Sequence, residues 1–178
     1  MWHPIKHFKT VQQHRREVRR CCFKVGIPLQ GIFHDLSKFS PTEFIPGAKY
    51  YIGTKSPNVI ERQCKGHSLA WMHHQGRNKH HFEYWMDYHV NGKGKQPVKM
   101  PLRYLKEMFC DRIAASKVYQ GVNYRNDAPL NYFLKGGAKK LMHPTTAKWL
   151  EIWLEILANE GEEVAFSYVK SMKESMYE

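Results

Sequence analysis

Helical periodicity runs through most of this chain, and it carries polar side chains at positions that the period reserves for the core. At 100° per residue, His7, Val11, His14, Val18, Cys21, Cys22 and Val25 gather on one face of the segment from Pro4 to Val25. Lys9, Gln12, Gln13, Arg16, Arg19, Arg20 and Lys24 take the other face. Gly26 and Pro28 stop that helix.

The same reading predicts a second helix from Leu29 to Phe39, punctuated by Ser40-Pro41-Thr42-Glu43, which can start another. Gly47 to Pro57 is turn-rich and reads as a loop. A third helix is expected from Asn58 to His74, with Ile60, His67, Trp71 and His74 on one stripe and Gly76-Arg77-Asn78 as its stop. His80 to His89 reads as a short aromatic-rich helix and Asn91 to Pro101 as a basic loop. Leu102 to Gln120 has a strong helical pattern, and Asn126 to Lys135, Thr145 to Ala158 and Glu162 to Met176 complete the helices. No segment alternates as a strand does, and no repeat or low-complexity tract is visible. The expected architecture is all-α, a single-domain helical bundle, with residues 4–120 carrying the chemistry and 126–176 packing against them.

A domain of 178 residues buries a sizeable core without a staple, so a metal here would be functional, not structural. The formal charge of +12 attracts anions such as nucleotides and nucleic acid. Cys21, Cys22, Cys64 and Cys110 form no Cys-x-x-Cys pair and read as reduced thiols of a cytoplasmic protein. The N-terminal stretch lacks an apolar signal core, and Glu151 and Glu155 interrupt WLEIWLEILA, so no membrane segment is expected.

Three polar groups stand where apolar ones belong. His14 lies on the apolar stripe of its helix, and His74 shares one with Ile60 and Trp71. In Leu102 to Gln120, Arg103, Lys106, Glu107 and Lys117 read as one charged arc, with Asp111 across from it among Tyr104, Met108, Ala115 and Val118. A buried carboxylate costs several kcal/mol unless it is paired, hydrogen-bonded or metal-bound. An arginine, Arg112 or another, or a metal ion would answer that need. Adjacent His34 and Asp35 supply a nitrogen and an oxygen ligand within one turn. Lys38 is close to one turn from both, placed to hold a phosphate or assist a leaving group.

The order His14, His34-Asp35, Asp111 resembles the H…HD…D signature of the HD superfamily of metal-dependent phosphohydrolases. HDLSK looks like the HD-x-x-K variant of some cyclic-dinucleotide phosphodiesterases, without their Gly-Tyr-Pro motif. HHQGRNKHHFEYW is similar to the H-HD-H-H-D subset that holds two metals, and the block also resembles a small uncharacterised HD-like family of bacteria and phages. The resemblance implies one metal on His14, His34, Asp35 and Asp111. A second would share Asp35 and take His74 and His80, with His67 and His81 as alternative ligands. The divalent ion would be manganese, iron, nickel, cobalt or magnesium, and the histidine-rich set leans away from magnesium. Asp35 and Lys38 would be catalytic. Lys38, Arg77, Asn78 and Arg112 would bind substrate, and Asn78 and Glu83 could orient imidazoles.

The activity so implied is hydrolysis of a nucleotide or related phosphoester, with Lys38 and Arg112 stabilising phosphoryl charge. A di-iron oxygenase on the same ligands is a second expectation. A non-catalytic nucleic-acid binder, using five Trp and ten Tyr for stacking, is a third. Homodimers are common in the superfamily and are compatible with the resemblance.

Overall fold

The computed structural model describes residues 2–178. It is all-α, with one small hairpin. Its longest helices are α1 (Pro4–Lys24), α6 (Leu102–Gln120) and α9 (Pro144–Glu160). Between α1 and α6 lie α2 (Pro28–Phe33), α3 (Pro41–Lys49), α4 (Pro57–Lys65) and α5 (Leu69–Gln75). After α6 come α7 (Ala128–Lys135), α8 (Ala138–Leu141) and, beyond α9, α10 (Glu162–Ser171).

α1 packs along α6 because both carry the apolar stripe that the sequence shows. Val18, Cys21, Cys22 and Val25 meet Leu105, Phe109, Cys110 and Ile113 in one core, which continues through Trp153, Leu154 and Leu157 of α9 to Phe166 and Val169 of α10 and to Tyr177. Phe109 meets Trp153 edge to face at 5.9 Å. The C-terminal helices thus complete the same core. Cys21, Cys22 and Cys110 are buried free thiols, and Cys64 is an exposed one. No helix among the described residues is long and apolar enough to cross a membrane.

Several local expectations fail. The helix expected over Leu29 to Phe39 ends at Phe33 and resumes as a 3-10 turn, Leu36–Phe39. Between them Asp35 sits at φ +54°, the left-handed region that asparagine and aspartate tolerate better than most residues. The Gly47 to Pro57 loop begins later, since α3 runs to Lys49. The helix expected over Asn58 to His74 divides at Gly66, whose φ of +77° suits a glycine terminus and whose N–H donates to Arg62 O at 2.8 Å. Ser68 then caps α5 by accepting from Trp71 N at 3.0 Å.

In place of a helix over His80 to His89 there is a single 3-10 turn, Phe82–Tyr84, followed by strand β1 (Met86–Tyr88). β1 pairs antiparallel with β2 (Lys95–Pro97), Asp87 facing Gln96. The hairpin answers both the expectation of no strand and that of a basic loop from Asn91 to Pro101. Its turn places Gly92 and Gly94 at positive φ, where the lysine-rich stretch alone could not go. Finally, the last helix stops at Ser171, and Glu174–Met176 forms a separate 3-10 turn.

Candidate metal centre

Seven inward polar residues of the first two-thirds of the chain meet at one place. α1 supplies His14, the turn after α2 supplies His34 and Asp35, α5 supplies His74, the following loop supplies His80 and His81, and α6 supplies Asp111. Two groups of four result, each with ligand atoms within 4.8 Å of one another: His14, His34, Asp35 and Asp111, and Asp35, His74, His80 and His81.

Asp35 divides its two oxygens between them. Oδ2 lies 3.3 Å from His34 Nε2 and 3.6 Å from His14 Nε2. Oδ1 lies 3.4 Å from both His74 Nε2 and His80 Nε2. Asp111 Oδ1 closes the first group, 3.0 Å from His14 Nε2 and 3.5 Å from His34 Nε2. The left-handed backbone of Asp35 turns this carboxylate into the cluster directly after His34, which a continuing helix would carry around its axis.

Two glutamates hold the imidazoles from behind. His34 Nδ1 donates to Glu107 Oε1 at 2.9 Å, and His80 Nδ1 lies 3.1 Å from that same oxygen. Glu43 receives His74 Nδ1 on one oxygen and His73 Nδ1 on the other, each at 2.7 Å. Asn78 Nδ2 donates to Ser37 Oγ and to His74 O, both at 2.8 Å, and braces the same corner. With Nδ1–H engaged, His34, His74 and His80 present the Nε2 lone pair to the cluster, the arrangement typical of metal-bound histidine.

The electrostatics keep the carboxylates charged. Burial opposes ionisation of Asp35, but the neighbouring His34, Lys38 and His74 outweigh it and hold the carboxyl well below its ordinary range. Asp111, against the same penalty, is held low by hydrogen bonds from His14 and His34. Glu43 and Glu107 are likewise low, through His74 and His34 respectively, against burial. Burial first, and His80 and His74 next, push His81 well below its ordinary value, leaving its imidazole neutral. Charged carboxylates and neutral imidazoles are the forms that bind cations; His34 goes the other way, since against burial Asp35, Asp111 and Glu107 raise its pKa well above the ordinary value, so a cation bound there displaces its proton.

Several atoms here are orphans. Asp35 Oδ1 and Oδ2, His80 Nε2 and His81 Nε2 are buried without a well-aligned hydrogen bond, although Lys38 Nζ stands 2.7 Å from Asp35 Oδ2. His14 Nε2 and His34 Nε2 face each other at 3.3 Å. Buried polar atoms are rarely left so, and lone pairs converging from imidazole and carboxylate are satisfied together by a divalent cation. The donor set fits one: these buried groups can hold a metal ion.

Other sequence candidates fall elsewhere. His67 is exposed in the turn between α4 and α5, outside both groups, because Gly66 takes it off the stripe of His74. Arg77 and Asn78 line a cleft of about 380 Å³ that opens on His34, Asp35 and His80. Arg112 instead lies over the Phe133 ring at 5.3 Å, its Nε buried without a partner. Glu83 Oε2 is also buried without a partner, and burial raises its pKa.

Glu107 corrects the sequence reading most sharply. Placed on a charged arc across from Asp111, it is in fact buried against His34 and His80, and Lys106 is buried too, donating to Met172 O at 3.0 Å. Residues four apart on a helix lie about 40° apart, so Glu107 shares Asp111's face. That spacing was the available signal. Glu43 gave none beyond its place in a helix start.

The model of a family of unknown function, DUF5662, matches residues 3–156, which takes in every residue of the cluster. The chain belongs to that family. No curated protein and no solved structure matches it. The matched span ends within α9, so the shared part of DUF5662 contains the cluster and most of the helices that position it.

Proposed function

We propose that this member of DUF5662 is a phosphohydrolase of the HD type, with a dinuclear metal centre acting on a phosphoester. One observation carries the reading: Asp35 stands between two four-ligand groups with one oxygen toward each, and neither oxygen accepts a well-aligned hydrogen bond. Divalent ions held there supply Lewis acidity and make water a competent nucleophile at neutral pH. The imidazole-rich donors favour manganese, iron, nickel or cobalt over magnesium.

The chain's own groups do the rest. His14, His34 and Asp111 would hold one ion and His74, His80 and His81 the other, with Asp35 offering one oxygen to each. Lys38, half-buried beside Asp35 Oδ2, stays protonated because Asp35 and Asp111 outweigh its burial. An ammonium there stabilises negative charge on a phosphoryl group. The cleft that opens on His34, Asp35 and His80 bears Arg77, Lys79 and Arg103, which draw an anionic ester toward the cluster.

The test is elemental analysis followed by assay with bis(p-nitrophenyl) phosphate in manganese. The wild-type protein is expected to retain one or two divalent ions per chain and to release p-nitrophenol equally well without oxygen, which separates hydrolysis from oxygenase chemistry. Asp35→Asn and Asp111→Ala should lose metal and turnover yet keep the helical circular-dichroism spectrum. Asn is chosen because it tolerates the left-handed backbone at position 35. Full turnover in either variant would overturn the reading.

A further inference from the structure

The cleft at the cluster has a neighbour on the other side of α2. This second cleft, of about 390 Å³, is lined by Lys9, Arg16 and Arg19 of α1 and by Gly31 and Ile32 of α2. α2 lines both clefts with different residues: Leu29, Gln30 and Phe33 face the first, Gly31 and Ile32 the second. Between the clefts, therefore, runs a short helix, and its apolar side chains are bare. Leu29 is 65% exposed, Phe33 64% and Ile32 42%.

Each cleft is cationic. The first offers Arg77, Lys79 and Arg103, and its two acids, Asp35 and Glu107, are buried in the cluster. The second has no acidic residue among its described lining. Arg15 at its edge is already committed to the backbone, donating to His34 O at 2.8 Å and Ile32 O at 3.1 Å. The acidic partners of α1 go to Arg20 and Lys24 instead, leaving Lys9, Arg16 and Arg19 to solvent anions. In the first cleft Arg103 stacks on Tyr104 at 4.8 Å, which holds its charge at the mouth.

We infer that the substrate is a single-stranded nucleic acid laid across α2, its bases against Leu29, Ile32 and Phe33 and its phosphates in both clefts. This rests on the phosphohydrolase reading only for the chemistry in the first cleft. Apolar and aromatic platforms flanked by basic grooves are how proteins grip single strands without reading sequence. A mononucleotide would occupy the cleft at the cluster and give Lys9, Arg16 and Arg19 nothing to do. A helix is about 10 Å across, so a few nucleotides bridge the two. Cleavage of a diester link consumes one water: its oxygen bonds to phosphorus, the bond from phosphorus to one sugar oxygen breaks, and that oxygen leaves as a hydroxyl with a proton from the water.

The experiment measures fluorescence anisotropy of a labelled thymidylate dodecamer, and of its uridylate counterpart, with the full chain in chelator so that nothing is cleaved. Arg16→Glu/Arg19→Glu lies outside the cluster. It is expected to weaken dodecamer binding tenfold or more and to flatten the salt dependence by about 1.4 in log–log slope, two phosphate contacts for a single strand. Its manganese content and its hydrolysis of bis(p-nitrophenyl) phosphate should match wild type. Phe33→Ala gives a second arm, expected to weaken both oligonucleotides through lost stacking. Equal dodecamer affinity in wild type and double variant overturns the inference. So does thymidine monophosphate binding as tightly as the dodecamer, or a preference for duplex. Dodecamer binding that depends on Arg16 and Arg19, in a protein that holds no metal and hydrolyses nothing, keeps the strand path and removes the phosphohydrolase reading.

Discussion

Glu107 holds one imidazole of each half of the cluster with a single oxygen, 2.9 Å from His34 Nδ1 and 3.1 Å from His80 Nδ1. It therefore positions ligands of both four-residue groups, and with His34 and His80 it also forms a third, three-residue set of possible ligands. Groups in that position typically change metal affinity 10- to 100-fold when removed. Glu107→Ala is expected to lower manganese affinity at both half-sites by about that factor, measured by calorimetric titration of chelator-stripped protein. Glu107→Gln keeps an oxygen where both Nδ1–H groups point and should recover most of the loss. Two variants with the same affinity as wild type would reduce Glu107 to a packing residue. At this scale the sequence was legible where a polar residue broke an apolar stripe, as His14 and Asp111 do. It was illegible where two glutamates looked like ordinary surface charge. Their burial follows from partners, His34 and His73-His74, brought in from other elements.

Among elements, α1 and α3 come close at His7 and Gly47. A Cβ added to Gly47 would stand 2.2 Å from His7 Nε2, so the Nε2 edge of the imidazole presses against α3 where only a glycine leaves room, with Phe44 at 5.2 Å between ring centres. Burial, and then the charge of Lys38, bring the His7 pKa down from 6.5 to about 4. The folded protein therefore keeps His7 neutral where the unfolded chain takes up a proton. Its contribution to stability is whole above pH about 6.5 and is lost as pH falls from there toward 4, on the order of 2 kcal/mol by pH 5. Urea unfolding of chelated wild type and His7→Leu at pH 7.5 and 5 should show the wild type losing about that much more than the variant. Parallel losses would dismiss His7 as the cause. Sequence periodicity found α1, α6 and α9 within a residue or two, because long amphipathic helices announce themselves. It missed the break at Asp35, which no glycine or proline marks, and the hairpin, whose strands have three residues each and too few alternations to register.

Across the whole molecule, the cluster draws on α1, the turn after α2, α5 and α6, while the apolar core ties α1 and α6 to α9 and α10. A cation bound to the cluster is bound to the folded state alone, since an unfolded chain leaves those ligands dispersed over about a hundred residues. Linkage then makes metal a stabiliser of every helix that shares the core. At a free metal concentration 100-fold above its dissociation constant the gain is about 2.7 kcal/mol, or roughly 5–10 °C in Tm for a chain of this size. Manganese added to stripped protein is expected to raise Tm by that order, with far-UV ellipticity and tryptophan fluorescence shifting together because Trp153 lies in the shared core. Magnesium at the same concentration should do much less, since it prefers oxygen ligands and this donor set has five imidazoles. Asp35→Asn, lacking the carboxylate common to both groups, should show neither shift. If manganese moved the Asp35→Asn protein as far as wild type, the ion would be binding elsewhere on the chain, and the convergence of helices on Asp35 would be a matter of packing alone.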